Sequence, residues 1–506
     1  MSVGLVIRAD ADKAMGTGHV MRCLALAEAW RGRGGDALFV GKIEPEPLRR
    51  RIVAEGHGLV ELAAPHPDPA DRQMMSRLAG DHASHHQGGS WLALDGYHFD
   101  DGYQRAMAEA GWRLLVVDDL RQLDGYCCEV VLNQNSYGPE MRYPTSAGAT
   151  LLLGPRYALL RGEFRRGAIV EPDPGVGRRV LITMGGADQH NVTAMVLSAL
   201  AATGIDGLEA RAVLGAANPH AAKLAEFAAE LPFHCELLHD VTDMAGLMRW
   251  ADAAVTAAGT TTYELAALGT PFMTIITADN QEQNAAWLER HGVAVGLGWF
   301  SKLTLGQISQ RLRDFLENQK QRRDQARRGM ELVDGRGAER VVLAMLARGM
   351  VLRKAGREDS AILLSWANDP ESRANSFSSR PISLEEHEKW LNAKLASPDC
   401  RLWLASMPDD SLAGMVRFDL AGDEAEISVN LAPAYRGQEL GSRLIGRACA
   451  QVFQEEQGLK RIVARIKAEN RASLRAFASA GFITSGVGEH RGATMTTMHL
   501  GRESHG

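Results

Sequence analysis

The sequence predicts two consecutive α/β domains built on parallel sheets, followed by a separate α+β unit. Short apolar runs alternate with amphipathic helical stretches up to about residue 346. A Pro/Gly-rich stretch, Glu171-Pro-Asp-Pro-Gly-Val-Gly177, interrupts that alternation and marks an interdomain linker. Beyond residue 350 strand-like runs dominate. The domains therefore fall at 1–165, 178–346 and 350–503. A chain of 506 residues allows about three domains.

The first strand is the apolar run Val3-Gly-Leu-Val-Ile7. A polar turn follows, with Gly16 and Gly18 flanking Thr17, and then a helix carrying Val20, Leu24, Ala27 and Trp30 towards a core. His19 thus stands at the carboxyl end of a parallel sheet, where open α/β sheets bind ligands and a helix N-terminus favours anions. An imidazole there can serve as a general base; the alternative is a helix-capping loop with a chance histidine. Residues 37–40, 91–94, 114–117 and 130–132 read as further buried strands. Two of them end on polar groups, Asp95-Gly-Tyr97-His98 and Asp118-Asp119, which either share a cleft with His19 or supply turns. His82, His85 and His86, without a carboxylate or cysteine at ligand spacing, read as a solvated loop, so no metal site is expected.

In the second domain, 180–183 is a strand, Met184-Gly185-Gly186-Ala187-Asp188 a glycine turn and 191–202 a helix. Strands recur at 211–214, 253–256 and 272–276. Ala258-Gly259-Thr260-Thr261-Thr262-Tyr263-Glu264 is a Gly/Thr turn opening a helix. Such a turn either holds a pyrophosphate on its backbone N–H groups, with Glu264 taking ribose hydroxyls, or is an ordinary N-capped helix. The third unit has a strand at 351–353, a helix at 359–368 and a capping box at Ser383-Leu-Glu-Glu386. Strands follow at 402–405, 414–420, 424–429 and 461–466, interrupted by the loop and helix beginning at Pro433. Asn470 to Phe482 closes the unit.

Composition narrows the function class. There are 56 Lys+Arg against 62 Asp+Glu, a net charge of -6, which gives no support for a nucleic-acid partner. Six scattered cysteines without a C-x-x-C pair suit a reduced compartment. Arg8, Asp10, Asp12 and Lys13 break the first apolar run early, and no window is long enough to span a bilayer. A cytoplasmic chain without membrane insertion is expected, its oligomeric state left open.

Several motifs are recognisable together. Ile7-Arg8-Ala9-Asp10 with Gly16-Thr17-Gly18-His19-Val20-Met21-Arg22-Cys23-Leu24 resembles the opening of the UDP-sugar hydrolases of pseudaminic acid synthesis. Asp95-x-Tyr97, Asp118-Asp119-Leu120, Gly259 to Leu265, Asn280-Gln281-x-x-Asn284-Ala285 and Asp334-Gly335-x-Gly337-Ala338 extend the resemblance to about residue 346. It implies two Rossmann-like domains in the GT-B-like arrangement of nucleotide-sugar glycosyltransferases. It also implies inverting, metal-free displacement of UDP by water from UDP-2,4-diacetamido-2,4,6-trideoxy-β-L-altropyranose. His19 would then handle the water proton and Tyr97 contact the substrate. Glu264 resembles a ribose-binding carboxylate, and Gln281 and Asn284 resemble sugar contacts. The matched motifs assign Arg8, Asp10, Gly16, Thr17, Gly18, Arg22 and Asp95 to substrate binding, with Gly186, Gly259, Thr260 and Thr261 on the nucleotide side. Some family members carry an amide at the position of Tyr263.

Residues 350 to 500 resemble the GNAT acetyltransferases. Arg436-Gly437-Gln438-Glu439-Leu440-Gly441 is similar to their Arg/Gln-x-x-Gly-x-Gly/Ala loop, which implies acetyl-CoA as the acetyl donor. Arg436, Gly437, Gln438, Gly441 and Ser442, with Asn470 and Ser473 from the second half of the signature, are the implied cofactor contacts. Glu439 replaces the usual glycine, and Phe477 a tyrosine often used as the general acid. Glu424 and Glu426 are either bases beside the cofactor or surface strand positions. Trp366-Ala-Asn368-Asp369-Pro370 through Trp390 resembles the acetyltransferase acting on the 4-amino group in the same pathway, an outline shared with ribosomal-protein acetyltransferases. The expectation is a bifunctional enzyme that acetylates a UDP-4-amino-4,6-dideoxy sugar and hydrolyses the product. The alternatives are a glycosyltransferase with an accessory acetyltransferase domain, or a UDP-sugar-binding scaffold with an inactive GNAT half.

Overall fold

The computed structural model describes residues 4–12, 15–85, 90–145, 148–165, 175–186, 188–215, 218–239, 241–490 and 492–502, with only the backbone at 82–85. The chain divides into two compact units, Ser2–Val342 and Leu343–Gly506. The first unit holds two wholly parallel sheets, and the second holds one mixed sheet.

The first sheet is built from β1 (Gly4–Ala9), β2 (Ala37–Gly41), β3 (Gly58–Glu61), β4 (Ser90–Asp95), β5 (Arg113–Val117), β6 (Val130–Asn133) and β7 (Thr150–Leu153), in the order 3-2-1-4-5-6-7. Its crossovers include α1 (Gly18–Arg31), α2 (Glu46–Ala54), α3 (Pro69–His85) and α4 (Asp101–Glu109). All six residues of β1 and of β4 are buried, as helices on both faces of a parallel sheet require. α3 runs through His85, so part of the stretch expected to be loop extends a helix. Residues 86–89 lie outside the described residues, as does most of the expected linker.

The second sheet comprises β8 (Arg179–Thr183), β9 (Glu209–Val213), β10 (His234–Leu238), β11 (Ala253–Ala257), β12 (Phe272–Ile276) and β13 (Val295–Trp299), in the order 10-9-8-11-12-13. Its helices are α5 (Val192–Ala201), α6 (Ala221–Ala229), α7 (Met244–Trp250), α8 (Thr261–Leu268), α9 (Glu282–Arg290), α10 (Leu305–Glu317), α11 (Gln319–Leu332) and α12 (Gly337–Ala347). One core cluster packs Val180, Ile182, Val196 and Leu312, and another packs Leu181, Ala254, Tyr263 and Leu265. Each fully buried aliphatic side chain contributes roughly 1.5–3 kcal/mol.

Both sheets reverse strand order once, between β1 and β4 and between β8 and β11. Ligands bind outside the carboxyl ends of the strands at such a switch point. The alternation therefore builds two potential binding edges.

The second unit contains β14 (Val351–Lys354), α13 (Ser360–Asn368), α14 (Pro370–Asn375), α15 (Leu384–Ala396), β15 (Cys400–Ser406), β16 (Leu412–Ala421), β17 (Glu424–Leu431), α16 (Leu440–Glu455), β18 (Arg461–Lys467), α17 (Arg471–Ser479), β19 (Ile483–His490) and β20 (Ala493–Gly501). The sheet order is 14-15-16-17-18-20-19, antiparallel except where β17 meets β18. No described helix is long and apolar enough to cross a membrane.

Candidate functional site

In the first unit a cleft with about 820 Å³ of empty space, its mouth included, opens where the switch points of the two parallel sheets face each other. The first sheet's side contributes Gly18, His19 and Arg22 of α1 with Tyr97 and Asp119 from loops, and the second's contributes Gly259, Thr260 and Gln281.

His19 lies in the first turn of α1, directly after the switch-point strand β1. The turn before it is closed by Asp12, whose carboxylate accepts from Met15 N at 2.7 Å and whose carbonyl accepts from Gly16 N at 2.9 Å. Gly16 has φ +74, a conformation that a side chain would strain. Thr17 caps α1 without a side-chain hydrogen bond, so the first N–H groups of the helix have no side-chain partner.

Across the switch point, Asp95 ends β4 with no exposure. Its Oδ1 sits 2.7 Å from His19 Nδ1 and accepts from Arg22 Nη2 at 2.6 Å, while its Oδ2 accepts from Arg22 Nε at 2.6 Å. Burial alone would raise the Asp95 pKa; the Arg22 guanidinium and His19 outweigh it and hold the carboxyl well below the usual range. An ionised Asp95 can only accept, so Nδ1 of His19 carries the proton and Nε2 is left as the basic nitrogen. Arg22 also donates to Asp119 Oδ2 at 2.7 Å. The ring of Tyr97 meets His19 edge-on, centroids 5.0 Å apart. Gly18, His19, Arg22 and Tyr97 line the cleft as expected, while Asp95 stands behind His19.

Arg8 and Asp10 are placed differently. Arg8 is fully buried, donating to Asp10 at 2.6 Å and to Asp71 at 3.0 Å, and neither Arg8 nor Asp10 lines the cleft. Asp10 also accepts from Lys42 N at 2.7 Å and from His98 Nε2 at 2.9 Å. Burial would raise its pKa, but His98 and Arg8 bring it down to about 2. A charge on a strand buried on both faces must be paired inside the protein, which takes these two away from the substrate.

On the opposite wall, Gly259 and Thr260 open α8, again without a side-chain cap, and present its N-terminus to the cleft. Thr261 follows in the helix, and Gly186 in the β8–α5 turn does not reach the lining. Glu264 is half-buried one turn further on, outside the lining, with Arg161, Glu163 and Arg51 as its charged neighbours. Burial, partly offset by Arg161, pushes its carboxyl up to about 7. Gln281 lines the cleft with its Oε1 accepting from Thr277 N at 2.9 Å.

Asn284, expected on the sugar, lines the cleft, and its amide is at the same time bonded to protein. Its Oδ1 accepts from Ser136 Oγ at 2.8 Å and Tyr263 OH at 2.7 Å, and its Nδ2 donates to Ala258 O at 3.0 Å. Tyr263 OH also accepts from Ser136 N at 2.9 Å. These bonds join the end of β6 to α8 and α9, one wall of the cleft to the other.

Asp118 and Asp119 take the two roles that their position left open. Asp118 accepts from the N–H groups of Leu120 and Arg121 at 2.7 and 2.9 Å, a turn. Asp119 lines the cleft, together with Asn135 and Tyr137, which sequence reasoning missed. The run Asn133-Gln-Asn-Ser-Tyr137 at a strand end was the available signal.

In the second unit, β17 and β18 pair only between Glu424–Ile427 and Arg461–Ala464. Beyond that, β17 continues on β16 and β18 on β20, so the two strands part. α16 starts beside the parting. Gly437 (φ +71) and Glu439 (φ +63) are both left-handed, so Glu439 keeps the backbone shape that glycine would adopt. Arg436 is tied down: Nη1 pairs with Asp369, Nη2 donates to Ser372 Oγ at 2.8 Å, and Nε donates to Leu431 O at 3.2 Å. Gln438 donates to Ala434 O at 2.6 Å and Ser442 Oγ to Glu439 O at 3.3 Å, so both side chains are bonded to carbonyls of the loop itself. A Cβ on Gly441 would meet Ala476 Cβ at 3.4 Å, an ordinary contact with α17. Asn470 caps α17 by accepting from Ser473 N at 3.0 Å. Phe477 is buried against Phe482. Glu424 and Glu426 are paired with Arg461 and Arg465 on the sheet surface, not poised as bases.

With that geometry in place, comparison with known proteins defines the class. Residues 180–336 match the glycosyltransferase family 28 C-terminal domain, and residues 350–483 match the acetyltransferase (GNAT) domain. The chain thus joins a glycosyltransferase-type Rossmann-like domain to a GNAT acetyltransferase domain. Among individual proteins, the spore coat polysaccharide biosynthesis protein SpsG of Bacillus subtilis is 28% identical over 37% of this chain. The match spans 56% of that relative's own length. An uncharacterized protein of Methanocaldococcus jannaschii is 21% identical over 94% of this chain and 96% of its own. Among solved structures, the spermidine N-acetyltransferase of Vibrio cholerae in complex with CoA and spermine is 20% identical, covering 31% of this chain and 97% of its own, at a TM-score of 0.29.

Proposed function

We propose that the protein is a bifunctional nucleotide-sugar enzyme. Its GNAT domain would transfer an acetyl group from acetyl-CoA to the amine of a UDP-4-amino-4,6-dideoxy sugar. Its first unit would then hydrolyse UDP-2,4-diacetamido-2,4,6-trideoxy-β-L-altropyranose with inversion. The observation that carries this reading is the His19–Asp95–Arg22 constellation facing the N-terminus of α8 across one cleft.

The chemistry divides between the walls. Uncapped N–H groups at α8, with Gly259, Thr260 and Gln281 beside them, favour the diphosphate and the charge that develops on it as the bond breaks. His19 Nε2 takes a proton from water as the water oxygen bonds to C1, and the C1–O bond breaks with its electron pair leaving on UDP. Asp95 stabilises the imidazolium that forms, and Tyr97 contacts the sugar. For acetyl-CoA, the parted β17 and β18 leave backbone groups for the pantetheine, and the loop at 436–441 offers amides to the pyrophosphate. Amine attack on the thioester carbonyl forms the amide and releases the CoA thiol. With Phe477 in place of tyrosine, the proton for that thiol comes from water or another side chain.

The family 28 match favours a second reading, transfer of the sugar to an acceptor instead of water. One experiment separates them. The full chain is incubated with the UDP-4-amino sugar, with and without acetyl-CoA, and sugar and UDP are followed by mass spectrometry. Acetylated free sugar and UDP without any acceptor support hydrolysis; UDP release only with an acceptor contradicts it. Hydrolysis without acetyl-CoA turnover contradicts the acetyltransferase half.

A further inference from the structure

Asp119 carries a denser set of bonds than its place in a turn requires. Its Oδ2 accepts from Arg22 Nη1 at 2.7 Å and from Tyr97 OH at 3.2 Å, and its Oδ1 accepts from Asn135 Nδ2 at 2.8 Å. Its carbonyl accepts from Tyr137 OH at 3.1 Å. The donors come from α1, the β4 turn and the segment after β6, so one residue gathers three segments of the first sheet's wall. With three acceptor positions in use and a side chain only 12% exposed, it is poorly placed to take a proton or hold a cation itself.

What it holds is the surroundings of His19. Arg22 bridges Asp119 and Asp95, and Asp95 holds His19 Nδ1, so Asp119–Arg22–Asp95–His19 is one continuous chain. Tyr97 hangs from the far end of that chain and returns its ring edge-on to the imidazole at 5.0 Å. The charges follow the same logic. Asp95 and Asp119 against Arg22 leave one net negative charge while His19 is neutral, and the four groups balance when His19 gains a proton.

We propose that Asp119 is a positioning residue of the hydrolytic site, fixing Arg22 and Tyr97 on either side of His19 and supplying the charge that balances its protonated state. The inference rests on His19 being the base.

The test uses the full chain and UDP release from UDP-2,4-diacetamido-2,4,6-trideoxy-β-L-altropyranose. Asp119→Asn keeps the shape and removes the charge; kcat should fall about tenfold or more with KM within about threefold. Tyr97→Phe, which removes one hydroxyl from a half-exposed ring, should lower kcat about threefold or more. The double variant should be no worse than Asp119→Asn within about twofold, because both changes cut the same chain. A wild-type kcat for Asp119→Asn, a loss in KM alone, or losses that multiply would overturn the inference. If Asp119→Asn does not fold, Tyr97→Phe decides alone, and a wild-type kcat there overturns it. His19→Ala at the wild-type rate would instead remove the base reading, and this inference with it.

Discussion

The cleft of the first unit and the loop at 436–441 of the second, the two places where we propose that phosphorylated ligands bind, are built by different means. In the cleft, side-chain charges are locked to one another: Arg22 alone bridges Asp95 and Asp119 behind His19. In the loop, the side chains of Arg436, Gln438 and Ser442 are turned back on the protein. A site of the first kind should fail sharply when one charge is lost. A site of the second kind should tolerate side-chain change.

The sharpest way to break that contrast is Arg22→Met. It leaves two buried carboxylates without their shared cation, and the first unit should lose about 3–5 kcal/mol in a denaturant titration. A loss below about 1 kcal/mol would mean the cleft charges are solvated rather than locked. The next effect belongs to the bonds joining the two walls. Tyr263→Phe strands Ser136 N and weakens Asn284, at about 1–3 kcal/mol by the same titration.

A pH effect follows from Glu264, whose carboxyl is pushed up to about 7 by burial, partly offset by Arg161. Below 7 the group is neutral; above 7 it ionises, and in the ribose role that the family resemblance implies for it, from a place outside the cleft lining, it would then be a pure acceptor. The KM for the UDP-sugar should therefore fall as pH rises through 7, at most about tenfold per pH unit, and Glu264→Gln should flatten the profile. An unchanged profile in Glu264→Gln would remove the ribose assignment. The smallest effect tests the loop. Glu439→Gly keeps the left-handed backbone without a side chain, so the second unit should gain about 1 kcal/mol and the KM for acetyl-CoA should fall a few-fold. A raised KM would show that the glutamate side chain takes part in binding.

What the sequence made legible follows the same divide. Interior strands such as β1, β4, β8 and β11 announced themselves as apolar runs because both faces are covered. The strands that went unread in the parallel sheets were β3, β7, β10 and β13, the four edges, whose residues are largely half-buried or exposed and carry no two-faced signal. His19 was found because a histidine after a glycine turn is a local pattern. The network that joins it through Asp95 and Arg22 to Asp119 was not, because those bonds span 76, 73 and 97 residues. Arg8 and Asp10 were misjudged for the opposite reason: a polar strand end looks ligand-bound until Asp71 and His98, far along the chain, are seen to neutralise it. The loop at 436–441 was recognisable by its resemblance to the acetyltransferase signature, whereas the inward turn of the Arg436, Gln438 and Ser442 side chains left no trace in the sequence.

The most direct measurement is a paired assay of the His19→Ala full chain, following UDP release and acetyl-CoA turnover in the same reaction. The account predicts that UDP release falls by about 10²-fold or more, while acetyl transfer to the UDP-4-amino sugar stays at the wild-type rate. Equal loss of both, or UDP release that survives, would contradict His19 as the base of a separate hydrolytic site.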